Sequence, residues 1–93
     1  MEKRVGSVTH YFDQIGVAVL ALEDGLAIGD RIHVVGYNTD YVQHVESMEI
    51  DHRQIQEAGS GAEVALKVDD RVHKGDSVYR LMEPSSEEVG FGY

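Results

Sequence analysis

The feature that most constrains the fold is a glycine–aspartate turn that leads into an alternating strand. Gly29 can adopt the positive φ of a tight turn, and the carboxylate of Asp30 can accept hydrogen bonds from backbone N–H groups just downstream. In residues 31–35, Ile32 and Val34 share one face, which is the period of a half-buried strand. The segment therefore predicts a turn that directs the chain into a strand in which Val34 is buried.

A weaker copy of this pattern, Gly75 and Asp76 before a strand at residues 77–82, indicates an all-β fold. No segment shows three turns of an amphipathic helix, and residues 51–57 fit neither the helical nor the strand period. The other predicted strands are residues 5–11, 16–22, 42–50 (with a bulge near residues 46–47) and 63–68 (with Leu66 buried), and the polar links include residues 37–40 and 69–74. Short strands separated by turns predict a small six- or seven-stranded Greek-key-like barrel.

The chain of 93 residues is long enough for one domain. We expect a barrel at residues 1–82 and a disordered acidic tail at residues 83–93.

The 17 acidic and 8 basic residues give a net charge of −9, whereas tight binding to phosphate backbones requires the opposite sign. Generic nucleic-acid binding is therefore not expected. Without cysteine, a membrane-length apolar run or a signal-peptide pattern, the sequence predicts a cytoplasmic monomer that does not contact membranes.

The sequence lacks the motifs that would carry catalysis or hold a cofactor. It has no phosphate-binding Gly-x-x-x-x-Gly-Lys-[Ser/Thr] and no recognisable nucleophile motif. The five histidines lack the short spacing of zinc ligands, since the nearest pair is His44 and His52. Carboxylate pairs such as Asp69 and Asp70 lie in polar segments where both stay hydrated. We therefore expect no catalytic residue, no metal and no cofactor.

His10, Tyr11 and Phe12, at the end of the first strand, are the candidate contact with a protein partner. Adjacent strand side chains point to opposite faces, so only one of Tyr11 and Phe12 can join the core. The other is left at the surface, where an aromatic ring can anchor a partner or cap the end of the barrel. Either role agrees with the sequence.

Four spaced blocks of the sequence resemble domain II of translational GTPases such as elongation factor Tu. The blocks are Leu26-x-Ile28-Gly29-Asp30-x-Ile32-x-Val34-x-Gly36, Val45-x-Ser47-Met48, Ala58-x-x-Gly61-x-x-Val64-x-Leu66-x-Val68 and Gly75-Asp76-x-Val78. Residues 6–12 are more similar to the barrel at the C-terminus of collagenase-like peptidases, in which the barrel follows a separate catalytic domain. The resemblance implies an elongation-factor-like barrel that acts as a protein of its own.

In elongation factor Tu, a pocket on this domain holds the aminoacyl end of tRNA, and the resemblance places that pocket at Glu49, His52 and Glu63. Two carboxylates around one histidine favour a cation over a phosphate. The resemblance implies a non-catalytic adaptor in translation or RNA modification, which binds a protein partner and allows a specific contact with tRNA or the ribosome. The alternative is an accessory subunit that supplies the C-terminal barrel of a collagenase-like peptidase in trans.

Overall fold

The computed structural model describes residues 2–82, and this part of the chain is built from β-strands. The strands are β1 (Glu2–Phe12), β2 (Val17–Leu22), β3 (Leu26–Ala27), β4 (Arg31–Gly36), β5 (Thr39–His44), β6 (Met48–Ile50), β7 (Arg53–Ile55), β8 (Glu57–Ala58), β9 (Glu63–Lys67) and β10 (Ser77–Leu81). The tail predicted at residues 83–93 lies outside the described residues.

The strands form an eight-stranded antiparallel sheet in the order β5-β4-β10-β1-β2-β9-β6-β7 and a two-stranded sheet of β3 and β8. The all-β, barrel-like prediction is confirmed. The strand count exceeds the predicted one because β3, β7 and β8, which contain only two or three residues each, are not among the predicted strands, and because the predicted strand at residues 42–50 forms both β5 and β6. Such short strands carry too little alternation to be recognised from the sequence.

Two equivalent turns lead into β4 and β10, as the repeated glycine–aspartate pattern predicts. The glycines before the two aspartates have φ values of 97° and 95°. The hydrogen bonds run in the opposite direction from the prediction, because a β-turn brings its first and fourth residues together. The N–H of Ala27 donates to the Asp30 carboxylate at 2.9 Å, and the N–H of His73 donates to the Asp76 carboxylate at 2.8 Å. Both carboxylates therefore accept from an N–H group three residues earlier in the sequence, rather than from one that follows.

The core lies between the inner faces of these strands. Val34 and Leu66 are 1% and 2% exposed, so their predicted burial is confirmed. β4 and β10 pair directly, with Val34 opposite Val78. β2 lies between β1 and β9, which agrees with its apolar residues on both faces. The outer face of β2 is only half-buried, and this leaves apolar surface at the site described below.

The predicted strand at residues 42–50 is wrong, because the chain forms two strands there, β5 and β6. Between them Val45 turns inward and exchanges backbone hydrogen bonds with the first turn. Its N–H donates to the carbonyl of Asp30 and its carbonyl accepts from the N–H of Gly29, both at 2.8 Å. No bulge is needed at residues 46–47. The register shifts lie in β1 instead, between Arg4 and Gly6 and between Val8 and His10.

A buried glutamine fixes the polar link that follows β9. Gln43 is 5% exposed, and its carbonyl oxygen accepts from the Tyr41 hydroxyl at 2.7 Å and from the N–H of Asp69 at 2.8 Å. Its amide donates to the carbonyl of Lys67 at 3.0 Å and to that of His44 at 3.1 Å. Burial raises the pKa of Tyr41 to about 12. These bonds satisfy polar groups that would otherwise be costly to bury.

Candidate functional site

The β1–β2 hairpin presents two apolar side chains to the surface. Its turn is closed by the N–H of Gly16, which donates to the carbonyl of Phe12 at 2.9 Å, and Gly16 has a φ of 66°. Phe12 is 45% exposed and Ile15, at the tip, is 63% exposed. Large apolar side chains that remain exposed side by side are typical of binding surfaces.

The β6–β7 hairpin has a two-residue turn with unusual backbone angles. Asp51 and His52 have φ values of 51° and 66°, and they are the non-glycine residues with positive φ in residues 2–82. Two-residue hairpin turns of this kind favour Asn-Gly or Asp-Gly, because a side chain on the second residue is strained there. Retained strain of this kind clusters at functional sites. Residues 51–57, which fit neither period in the sequence, thus contain this two-residue turn, β7 and the first residue of β8.

These two hairpins and the sheet between them enclose a groove of about 500 Å³, here named the outer groove. Its floor is the outer face of β2 and β9, formed by Val17, Val19 and Ala65. Its remaining lining residues are Phe12, Ile15, Glu49, Asp51, His52 and Glu63. The volume lies within the usual range of ligand sites, roughly 300–1,000 Å³.

The structure brings together two sets of residues that the sequence predicts separately. Phe12 from the aromatic set lines the outer groove beside Glu49, His52 and Glu63. His10 packs on Phe12, with ring centroids 4.2 Å apart. Tyr11 points to the opposite face and packs against the core. Because Phe12 pairs with Val17 across the β1–β2 ladder, its ring stands on the same face as the groove floor.

The rim of the outer groove is acidic. Glu49 pairs with Ala65, so Glu63 lies diagonally across from Glu49, a separation of roughly 7–8 Å between such neighbours. Asp51 extends the rim at the adjacent turn. Lys67 lies on the same face opposite Val17 and lines a smaller hollow that adjoins the groove. Three carboxylates around an apolar floor favour a ligand that is both apolar and cationic.

Sequence reasoning missed five lining residues, namely Ile15, Asp51 and the floor residues Val17, Val19 and Ala65. The signal for Ile15 is an isolated apolar side chain at a hairpin tip, between polar neighbours and a glycine. Asp51 carries no signal of its own, because the turn is visible only once β6 and β7 are known to pair.

A histidine far from the groove ties together three strands. The ring of His33 in β4 contacts Asp40 of β5 at 2.5 Å and Glu2 of β1 at 2.7 Å. The hydrogen bond to Asp40, followed by that to Glu2, raises the pKa of His33 above its usual value of 6.5. This cluster is not part of the outer groove, and its partners give it a structural role.

Within residues 2–82, no three His, Asp or Glu side chains converge closely enough to hold a metal ion. The same part of the chain also contains no helix of the length and hydrophobicity needed to cross a bilayer.

The chain is a small β-barrel-like domain whose outer groove has an apolar floor and an acidic rim. Known proteins share this fold. No protein-family model matches the chain. An uncharacterised protease of Methanocaldococcus jannaschii is 36% identical over 80 residues, which are 85% of this chain and 20% of that protein. The chain thus spans about a fifth of that relative's length.

Two solved structures have the same fold. The C-terminal domain of a protein from Geobacillus thermoleovorans described as a U32 peptidase matches with a TM-score of 0.81 and 18% identity, over 86% of this chain and 93% of that domain. Its selenomethionine variant matches with a TM-score of 0.78 and 19% identity, over 82% of this chain and 96% of that one. The fold is therefore that of the C-terminal barrel of U32, or collagenase-like, peptidases.

These matches correct the function that the sequence predicts. The adaptor role in translation or RNA modification is wrong, because the relative is a protease and the matching structures are peptidase domains. The resemblance to domain II of elongation factor Tu is not supported by these matches. The resemblance of residues 6–12 to the collagenase-like peptidases is the part that these matches support.

Proposed function

We propose that this chain supplies the C-terminal barrel of a collagenase-like U32 peptidase and acts there as a non-catalytic binding module. The observation that carries the proposal is the match to a protease over 85% of this chain but only 20% of the relative. A segment of that size corresponds to one domain of a larger enzyme. The fold match to a separate C-terminal domain supports the same assignment.

The chemistry of the described residues supports a binding role rather than a catalytic one. The carboxylates of the outer groove lie on an open rim beside an apolar floor, and the described residues that line this groove include no serine, threonine, cysteine or lysine that could act as a nucleophile beside them. The exposed Phe12 and Ile15 instead provide the apolar area that stabilises association. The barrel would therefore position a polypeptide relative to the catalytic body of the peptidase.

Complex formation in trans tests this proposal. The M. jannaschii relative is prepared without its 80 aligned residues and mixed with this chain, and the mass of the complex is measured by size-exclusion chromatography with light scattering. We expect a one-to-one complex. The intact relative is the control, because its own barrel occupies the position and should exclude this chain. Failure of the shortened relative to bind, or equal binding by the intact one, would contradict the proposal.

A further inference from the structure

The geometry points to a specific occupant of the outer groove: an extended polypeptide segment that presents an apolar side chain between two arginine or lysine residues. This inference rests on the proposed role of the chain as a binding module. It adds the chemical class of the partner, which is drawn from the groove alone.

The apolar half of the recognition comes from the floor and the β1–β2 hairpin. Phe12 and Ile15 are 45% and 63% exposed, and they stand at the edge of a floor formed by Val17, Val19 and Ala65. The ring of His10 packs against that of Phe12 at an interplanar angle of 50°, and this contact reduces the entropy that Phe12 loses when a partner covers it. An aliphatic or aromatic side chain would remove this surface from water.

The charged half of the recognition comes from the rim. Glu49 and Glu63 lie diagonally across the β6–β9 ladder, roughly 7–8 Å apart. Alternate side chains of an extended peptide are spaced by about 6.6–6.8 Å and point to the same side, so two basic residues separated by one apolar residue can reach both carboxylates. The apolar residue between them then points to the other side of the groove, toward Phe12 and Ile15. Asp51 adds a third negative charge on the same rim.

Other occupants fit this surface less well. A phosphate-bearing ligand would meet three carboxylates, which repel it. A second copy of this chain carries a net charge of −9 and would bring another acidic rim against the first. A purely apolar ligand would bring no cation to the rim, where Lys67 lies diagonally across from Glu49 but Asp51 and Glu63 also face the groove.

The strained turn supports a binding role for this rim. His52 keeps a φ of 66° although a glycine there would relieve the strain, and its side chain lines the groove. A turn selected for stability alone would place glycine at this position. Strained backbone positions cluster at binding sites, and this one forms a wall of the outer groove.

The test is the binding of three fluorescein-labelled heptapeptides to the full 93-residue chain, followed by fluorescence anisotropy. The basic peptide is Gly-Arg-Leu-Arg-Phe-Arg-Gly, the acidic peptide has Glu in place of Arg, and the polar peptide has Ser in place of Leu and Phe. We expect the basic peptide to bind about 30-fold more tightly than either of the others, a ratio typical of one hot-spot contact. Amide NMR shifts should be confined to residues of the outer groove.

Matched variants assign the binding to the groove. Phe12→Ser should weaken the basic peptide about 30-fold, whereas Val42→Ser should not change its affinity, because Val42 is also 45% exposed but lies on β5, away from the groove. The double variant Glu49→Lys with Glu63→Lys should prefer the acidic peptide. Thermal melts of each variant verify that it is folded.

Several results would overturn the inference. They are the absence of binding by the basic peptide, equal affinity for all three peptides, shifts outside the groove, dimerisation of the chain through the groove, and a charge-reversed variant that keeps its preference for the basic peptide. Because no peptidase body is present in these assays, their failure is separate from a failure of the complex formation described above.

Discussion

The sharpest prediction concerns the β6–β7 turn, where His52→Gly should stabilise the barrel. His52 has a φ of 66°, and a side chain in this left-handed region costs roughly 1–2 kcal/mol. Glycine removes that cost but adds about 0.4–1 kcal/mol of entropy to the unfolded chain. The difference is a net gain of about 0.5–1 kcal/mol. His52 is exposed, so the change removes no packing from the core.

Urea denaturation measures this gain as a shift in the midpoint at an unchanged m-value. The control is Gly16→Ala, since Gly16 has the same φ of 66° and a Cβ there would meet only the Val68 carbonyl oxygen at 3.8 Å. It should destabilise by a similar amount, about 0.5–1 kcal/mol. A destabilising His52→Gly together with a neutral Gly16→Ala would refute the strain assigned to this turn.

Three further predictions test the core, the buried polar network and the histidine cluster. Leu66→Ala should cost about 2–4 kcal/mol in chemical denaturation through lost transfer energy and a cavity, and a cost under about 0.5 kcal/mol would contradict its burial at 2% exposure. Gln43→Met should cost about 2–4 kcal/mol, because the N–H of Asp69 and the Tyr41 hydroxyl lose their acceptor, and a neutral result would mean that water replaces the network. The raised pKa of His33 stabilises the fold fully below pH 6.5, and this contribution is lost as the pH rises through the folded-state pKa. The free energy of unfolding of the wild type should therefore exceed that of His33→Gln most at low pH, and the difference should shrink as the pH rises over that range. If the unfolding free energies of the two proteins instead change in parallel with pH, the role given to Asp40 and Glu2 is contradicted.

The strands with long alternation could be predicted from the sequence, because their side-chain period is visible over several residues. Residues 63–68 and 31–35 are of this kind, and the burial of Leu66 and Val34 follows from that period. The break between β5 and β6 could not be predicted, because it depends on backbone hydrogen bonds from Val45 to a turn 15 residues earlier in the chain. Nonlocal bonds of this kind leave no periodic trace in the sequence.

In the candidate site, too, local features could be predicted from the sequence and nonlocal ones could not. Alternation alone indicates that one of Tyr11 and Phe12 must face outward, and the structure leaves Phe12 exposed. That Phe12 meets Glu49, His52 and Glu63 depends on the strand order β1-β2-β9-β6, which the sequence does not reveal. The outer groove is therefore a product of the topology, although most of its polar and aromatic residues could be predicted one by one.

The most direct test of the central claim is a graft into the M. jannaschii relative. Its 80 aligned residues are replaced by the matching residues of this chain, and the hydrolysis of gelatin is measured for the parent, the graft, the shortened form without those residues and this chain alone. A non-catalytic barrel of a U32 peptidase predicts that the graft hydrolyses gelatin like the parent, that the shortened form is impaired, and that this chain alone is inactive. Hydrolysis by this chain alone, or a folded graft no more active than the shortened form, would contradict the account.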